Sequence, residues 1–292
     1  MSELKHLLEA VRPVALGPDE GRIAHLRIDR WIDYPRAAAA LETLEDLLST
    51  PGRARMPCLL LHGASGMGKT MLVDKFVRAH KPRYDPRQGI EKRPIIAMQM
   101  PTTPSERRFY VKLLETLEAP CRPGERLTVL EHTALRLLRQ LQPQVLVVDE
   151  VHHLLAGSGR EQRAALNLLK FLSNELQCCV VAVGTRDALV AMQTDAQIAS
   201  RFQPFELPRW RESEELRRFL AAFERVLPLR EPSQLVEREM TQALLEASDG
   251  ITGNIARLLT DAARRAIRLG EERITLERLK SVIGAARGSV AA

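Results

Sequence analysis

The chain has 292 residues, 45% of them apolar, so it can bury a sizeable core in one or two domains. A formal charge of +6 favours an anionic partner without demanding one, and 4% aromatic content argues against a base-stacking platform. Four cysteines without a CxxC pair (Cys58, Cys121, Cys178, Cys179) read as small buried side chains in a reducing compartment. The N-terminus has no continuous apolar signal core, and no apolar run approaches a membrane span, so the expectation is a cytoplasmic protein with no membrane partner.

Residues 1–30 are charged and weakly periodic, with a turn near Gly17-Pro18, and read as an N-terminal extension. "YPRAAAALETLEDLLST" (34–50) reads as a helix stopped by Pro51-Gly52. "MPCLLLHG" is a short buried strand entering a glycine-rich loop, and "KTMLVDKFVRAH" is the helix after it. "RPIIAMQM" (93–100) is a strand; "SERRFYVKLLETL" is a helix with Ser105 as its cap; a further helix covers 127–141. "QVLVVDE" (144–150) is a strand, "EQRAALNLLKFLSNEL" (161–176) a helix, "CCVVAVGT" (178–185) a strand, and "FQPFELP" (202–208) the last strand. Apolar strands alternating with helices predict a parallel sheet covered on both faces. After Pro208 four segments have helical period only. The domains are therefore expected at 31–209 (α/β) and 210–292 (all-helical).

"GASGMGKT" (63–70) matches G-x-x-x-x-G-K-[ST] at every defined position, between a strand and a helix. Its glycines permit a tight loop whose N–H groups face phosphates, and the helix N-terminus adds a favourable dipole. Gly63, Ala64, Ser65, Gly66, Met67, Gly68, Lys69, Thr70 and the following Met71 are assigned to ATP, with the Thr70 hydroxyl on Mg²⁺. Asp149 ends the apolar run 145–148 and supports the same Mg²⁺; Glu150 polarises the attacking water as general base. "VLVVDEVHHLL" also suggests a metal site and a DExH helicase box. Adjacent His152 and His153 cannot point one way in a strand, which argues against metal ligation and leaves them as surface or loop residues. Only 137 residues follow Leu155, too few for the second RecA-like domain of such a helicase.

The remaining motifs resemble those of AAA+ ATPases. Thr185, ending "VVAVGT", resembles sensor 1; Arg201 in "ASRFQPFELP" resembles the arginine finger; Arg257 in "TGNIARLL" resembles sensor 2. A helix cap, a surface charge and a helix-face salt bridge are the bland alternatives for these three. An arginine finger implies an oligomer, since it completes a neighbour's site. Ile32 and Tyr34 precede the core and are the guess for the adenine pocket, with Pro35 beside them. Across residues 25–285 the chain most resembles the TniB/TnsC group of transposition ATPases, and TniB more closely, through "DRWIDYPRA", "HGASGMGKT", "RPIIAMQMPTTPSERRFY", "VDEVHHLLAGSGREQRAALNLLKFLSNEL", "VVAVGTRDAL" and "SRFQPFELPRW". The resemblance implies an α/β AAA+ P-loop NTPase, its parallel sheet flanked by helices and followed by a small all-helical lid. It implies slow, assembly- or DNA-dependent ATP hydrolysis. In this reading the ATP state assembles as a ring or helical filament on double-stranded DNA, and recruits a DDE transposase and a TniQ-like targeting protein. Hydrolysis then takes the assembly apart.

DNA held by its backbone needs Lys, Arg and small donors on one surface, giving little base readout and strong salt dependence. Residues 75–93 carry seven Lys/Arg against two acids, and read equally as a solvated helix end and loop. By resemblance, Thr103, Arg107 and Lys112 lie where related proteins place inner-surface contacts, and Arg126 and Thr128 lie on a second loop. Two rival readings remain at this level: a helicase loader, and a signalling or scaffold NTPase that holds nucleotide without productive hydrolysis.

Overall fold

The computed structural model describes residues 4–288 except 88, 104, 123, 194 and 195; the expected lid's last residues, 289–292, and residues 1–3 lie outside the described ones. In chain order the elements are α1 (Arg12–Leu16), α2 (Asp19–Leu26), α3 (Pro35–Leu48), β1 (Cys58–Gly63), α4 (Lys69–Ala79), β2 (Arg83–Asp85), β3 (Ile90–Lys92), β4 (Ile95–Gln99), α5 (Glu106–Thr116) and α6 (Leu127–Leu141). There follow β5 (Val145–Asp149), a 3-10 helix (Val151–Ala156), α7 (Gly159–Leu176), β6 (Cys179–Gly184), α8 (Arg186–Gln193), α9 (Ala196–Ala199), β7 (Phe202–Leu207), α10 (Glu214–Glu224), α11 (Arg238–Ser248), α12 (Thr252–Leu269) and α13 (Leu276–Gly288). The chain divides into two compact units: one takes Ala39–Ser65 and Lys69–Leu207, the other the N-terminal residues through Ala38, Gly66–Gly68 and the chain from Pro208 onward.

In the first unit, β4-β5-β6-β1-β7 form a parallel sheet in that order. The three inner strands are buried along their whole length, as expected where helices cover both faces. Val145 to Val148 are 0% exposed, and each such side chain contributes about 1.5–3 kcal/mol when withdrawn from water. The edge strand β7 tolerates Pro204, which lacks a ladder donor. The sheet's main cluster includes Leu60, Ile96, Leu146, Val180 and the helix residues Phe109, Leu138 and Leu169. Within the basic stretch 75–93, Arg83–Asp85 (β2) and Ile90–Lys92 (β3) pair as short antiparallel strands, which neither reading of that stretch included. Ser105 holds the N-cap position of α5 in extended backbone, but its side chain makes no capping bond, contrary to its expected role. Ser158 does cap α7: it accepts from Glu161 N–H, and Glu161 reaches back to the Ser158 N–H at 2.8 Å.

The second unit is helical. Its α10 starts at Ser213, whose side chain accepts from Leu216 N–H, and α12 ends at Gly270 in left-handed conformation. The segment read as an N-terminal extension contributes α1 and α2 to this unit. Arg22 on α2 is 0% exposed: Nε donates to the Pro228 carbonyl at 3.0 Å, and the guanidinium pairs with Asp19 and Glu272. Arg230 joins the network through Glu272 and the Ala15 carbonyl. A buried guanidinium survives only when paired in this way.

Candidate functional site

The loop after β1 takes its shape from two glycines. Gly66 and Gly68 have φ +78° and +87°, a region open to glycine at low cost. A Cβ on Gly66 would also meet Ile251 Cγ2 at 2.9 Å. The Gly66 carbonyl accepts the Gly253 N–H at 2.8 Å, and the Thr252 hydroxyl lies 3.9 Å from Met67 Sδ, fixing the middle of the loop. Lys69, 9% exposed, bends back so that Nζ donates to the carbonyls of Gly63 (3.0 Å) and Ala64 (2.9 Å). An ammonium has three donors, so one remains for a ligand. Burial pushes the Lys69 pKa down, while the charges of Glu150 and Asp149 act to raise it.

The carboxylates stand where β5 ends. Asp149 is 6% exposed; its Oδ2 accepts from the Thr70 hydroxyl at 2.9 Å and its Oδ1 from the Glu150 N–H at 2.7 Å. A hydroxyl and a carboxylate oxygen in contact are the hard donor pair that Mg²⁺ takes, so these residues fit that ion. Gly66, Gly68 and Lys69 likewise fit a polyphosphate. Glu150 does not continue the strand: at φ +57°, ψ +34° it is left-handed and opens the 3-10 helix. Its side chain therefore leaves the alternation of β5 and stays partly exposed, beside the buried Asp149.

The histidines correct an expectation. They lie in this 3-10 turn, so the strand argument against their facing one way does not apply. Their rings are 4.8 Å apart. His153 Nδ1 is 3.1 Å from the Met100 carbonyl, and His152 Nδ1 is 3.0 Å from Glu150 Oε2.

Other residues singled out in the sequence fall as follows. Ala64 is half-buried; Ser65 and Met71 are exposed. Thr185 directly follows β6, and its hydroxyl reaches Asp187 at 3.4 Å. Arg201 precedes β7 and donates to Asn174 at 2.8 Å. Arg257 is exposed on the first half of α12. Ile32 is half-buried, and Tyr34 stands in an aromatic group with Trp210 (5.0 Å) and Phe219 (5.9 Å). Burial, and then the charge of Glu215, push the Tyr34 hydroxyl up to about 12. Trp210, which packs on Tyr34, donates its Nε1–H to the Thr252 hydroxyl at 2.9 Å. Arg107 and Lys112 line one cavity of about 240 Å³ with Pro101, Arg108, Val111 and Glu115. Thr103 is exposed before α5, and Arg126 and Thr128 are exposed at the start of α6, outside that cavity's lining.

Solved structures with similar folds include ORC and Cdc6 proteins. The Aeropyrum pernix ORC1 protein in complex with DNA matches with a TM-score of 0.63 at 17% identity, over 90% of this chain and 69% of that one. The Aeropyrum pernix ORC2 protein in its ADPNP-ADP complexes matches at 0.63 and 16% identity, over 89% and 71%. Cdc6p from Pyrobaculum aerophilum matches at 0.62 and 15% identity, over 86% and 67%. These establish the AAA+ P-loop NTPase fold. No significant match was found among curated protein sequences. The family described as bacterial TniB protein matches residues 22–212, well over half of the chain. The chain belongs to the TniB family.

Proposed function

We propose that this protein is an ATP-hydrolysing, DNA-binding regulator of transposition, which assembles on double-stranded DNA in its ATP state and disassembles on hydrolysis. The observation that carries the reading is the Thr70–Asp149 hydrogen bond beside Glu150, at the mouth of the Gly63–Thr70 loop. Lys69 and the loop N–H groups hold the phosphates of ATP. Thr70 and Asp149 hold Mg²⁺, which when bound neutralises charge on the phosphates. Glu150 accepts the proton of the attacking water, for which its departure from the strand direction frees its side chain. Thr185 and Arg257 act as the polar sensors, and Arg201 completes a neighbouring protomer's site, so turnover depends on assembly. Ile32 and Tyr34 bound the base.

Membership of the TniB family supports the transposition role, and the fold shared with an ORC1 protein in complex with DNA supports DNA association. Within the assembly, Thr103, Arg107, Lys112, Arg126 and Thr128 contact the DNA backbone. The partners recruited are a DDE transposase and a TniQ-like targeting protein. Among the described residues no helix is long and apolar enough to cross a membrane. Electron microscopy with double-stranded DNA and a non-hydrolysable ATP analogue tests the reading. Rings or helical filaments are expected with both present; monomers under every combination of nucleotide and DNA contradict it.

A further inference from the structure

We propose that Glu150, His152 and His153 form a binding site for a borderline transition-metal ion of the Zn²⁺ class, and that its occupation withdraws Glu150 from catalysis. Each of the three offers one ligand atom, and the three atoms lie within 4.8 Å of one another.

The local backbone creates the cluster. The His153 N–H donates to the Glu150 carbonyl at 3.0 Å, which closes the turn that carries all three residues. The left-handed conformation of Glu150 turns its carboxylate onto that turn rather than along β5.

The two rings are arranged as ligands. His153 Nδ1 faces the Met100 carbonyl at 3.1 Å, and a carbonyl can only accept, so Nδ1 carries the proton and Nε2 keeps its lone pair. An imidazole held by a backbone carbonyl through one nitrogen and free at the other is the usual outer support of a metal-ligating histidine. His152 Nδ1 is buried and 3.0 Å from Glu150 Oε2, yet off the hydrogen-bonding direction and without a hydrogen-bond partner among the described residues. A cation between that nitrogen and that oxygen would satisfy both.

The dimensions suit zinc with small adjustments. Bonds of about 2.0–2.1 Å in tetrahedral geometry place ligand atoms about 3.4 Å apart. The Glu150–His152 pair is already inside that distance, and side-chain rotation closes the wider separations. Three protein ligands leave a fourth position for water, as in reversible sites. Imidazole favours Zn²⁺ over Mg²⁺, so this site is chemically distinct from the all-oxygen pair of Thr70 and Asp149.

A Glu150 carboxylate engaged as a ligand cannot take a proton from water. Metal binding would therefore stop ATP turnover while leaving nucleotide held by Lys69 and Thr70. This inhibitory effect rests on the reading of Glu150 as general base; metal binding itself does not.

The test uses the full chain, stripped of metal with a chelator and titrated with Co²⁺ and Zn²⁺. One equivalent of Co²⁺ should give visible d–d absorption of a low-coordinate site. The Zn²⁺ dissociation constant should rise at least tenfold in His152→Asn, His153→Ala and Glu150→Gln. Cys121→Ser should not change it; the other cysteines are buried. Wild-type affinity in both histidine variants, or loss of binding in Cys121→Ser alone, would overturn the site. In a second arm, Zn²⁺ at saturating ATP and Mg²⁺ should suppress wild-type turnover, and suppression should weaken at least tenfold in the histidine variants. Zn²⁺ bound at this site with turnover unchanged would overturn the inhibitory role. A chain without ATPase activity that still binds Zn²⁺ through these residues would contradict the proposed function and leave the site standing.

Discussion

Two regions bury charge, and they do it differently. On α2, Arg22 is 0% exposed and its guanidinium is held by four hydrogen bonds within the chain, to the Pro228 carbonyl, to Asp19 and twice to Glu272. At the end of β5 and the phosphate loop, Lys69 and Asp149 are nearly as buried, but Lys69 makes two hydrogen bonds among the described residues, one fewer than its donors, and Asp149 lies against the Thr70 hydroxyl, the proposed Mg²⁺ ligand. A buried charge paired with opposite charges of its own chain holds a fold together. A buried charge with capacity left over is set up to receive something.

The comparison predicts opposite phenotypes. Arg22→Ala leaves the Pro228 carbonyl without its donor and Glu272 to Arg230 alone, and should cost about 1–3 kcal/mol of stability, the range for a buried polar group left unpaired, with ATP affinity unaltered in the fraction that remains folded. Denaturant unfolding measures it; a change below 1 kcal/mol would mean that the network adds nothing. Lys69→Ala should do the reverse. Losing a charge-assisted bond to phosphate costs about 1.5–3 kcal/mol of binding, roughly ten- to a hundredfold in the Kd for ATP, and the melting temperature without nucleotide should scarcely move. Isothermal titration calorimetry reads the first quantity and calorimetric melting the second.

Smaller effects sharpen the contrast between structural and receptive polar groups. Ser158→Ala removes the capping box of α7 and should cost about 1 kcal/mol, measured by the same unfolding experiment. The thiols probe the sheet. Burial pushes Cys178 up to about 12 and Cys179 up to about 11 from 9.0. Both folded values lie above the unfolded one, so the stabilisation is complete below pH 9 and is lost as pH rises toward those values. At pH 8 the native protein should show one readily alkylated cysteine, Cys121, and all four should react once the chain is denatured.

Much of this was legible because the signals are local. A strand of four consecutive apolar residues ending in two carboxylates, and a glycine-lysine-threonine loop between strand and helix, state their geometry within a dozen residues. The Ser158–Glu161 capping box is equally local, yet the expected helix begins only at residue 161 and leaves it out. Three features were not legible. The Arg22–Glu272 pair joins residues 250 apart in sequence, and no pattern near either residue announces it. The hairpin of β2 and β3 has strands of three residues, too short for an alternation to register. The turn that gathers His152 and His153 depends on a glutamate adopting a left-handed conformation, which residue preference opposes. Arg107 and Lys112 line one cavity, and their proposed contact with DNA would depend on a partner and not on the chain's own packing.

The most direct test of the catalytic account is Glu150→Gln, assayed for ATP turnover with double-stranded DNA and for the lifetime of the DNA-bound assembly. A general base contributes about 10²–10⁴-fold, so turnover should fall by at least a hundredfold while ATP binding persists and the assembly outlives that of the parent. Parental turnover in the variant would contradict the assignment of Glu150 and, with it, the proposed route from hydrolysis to disassembly.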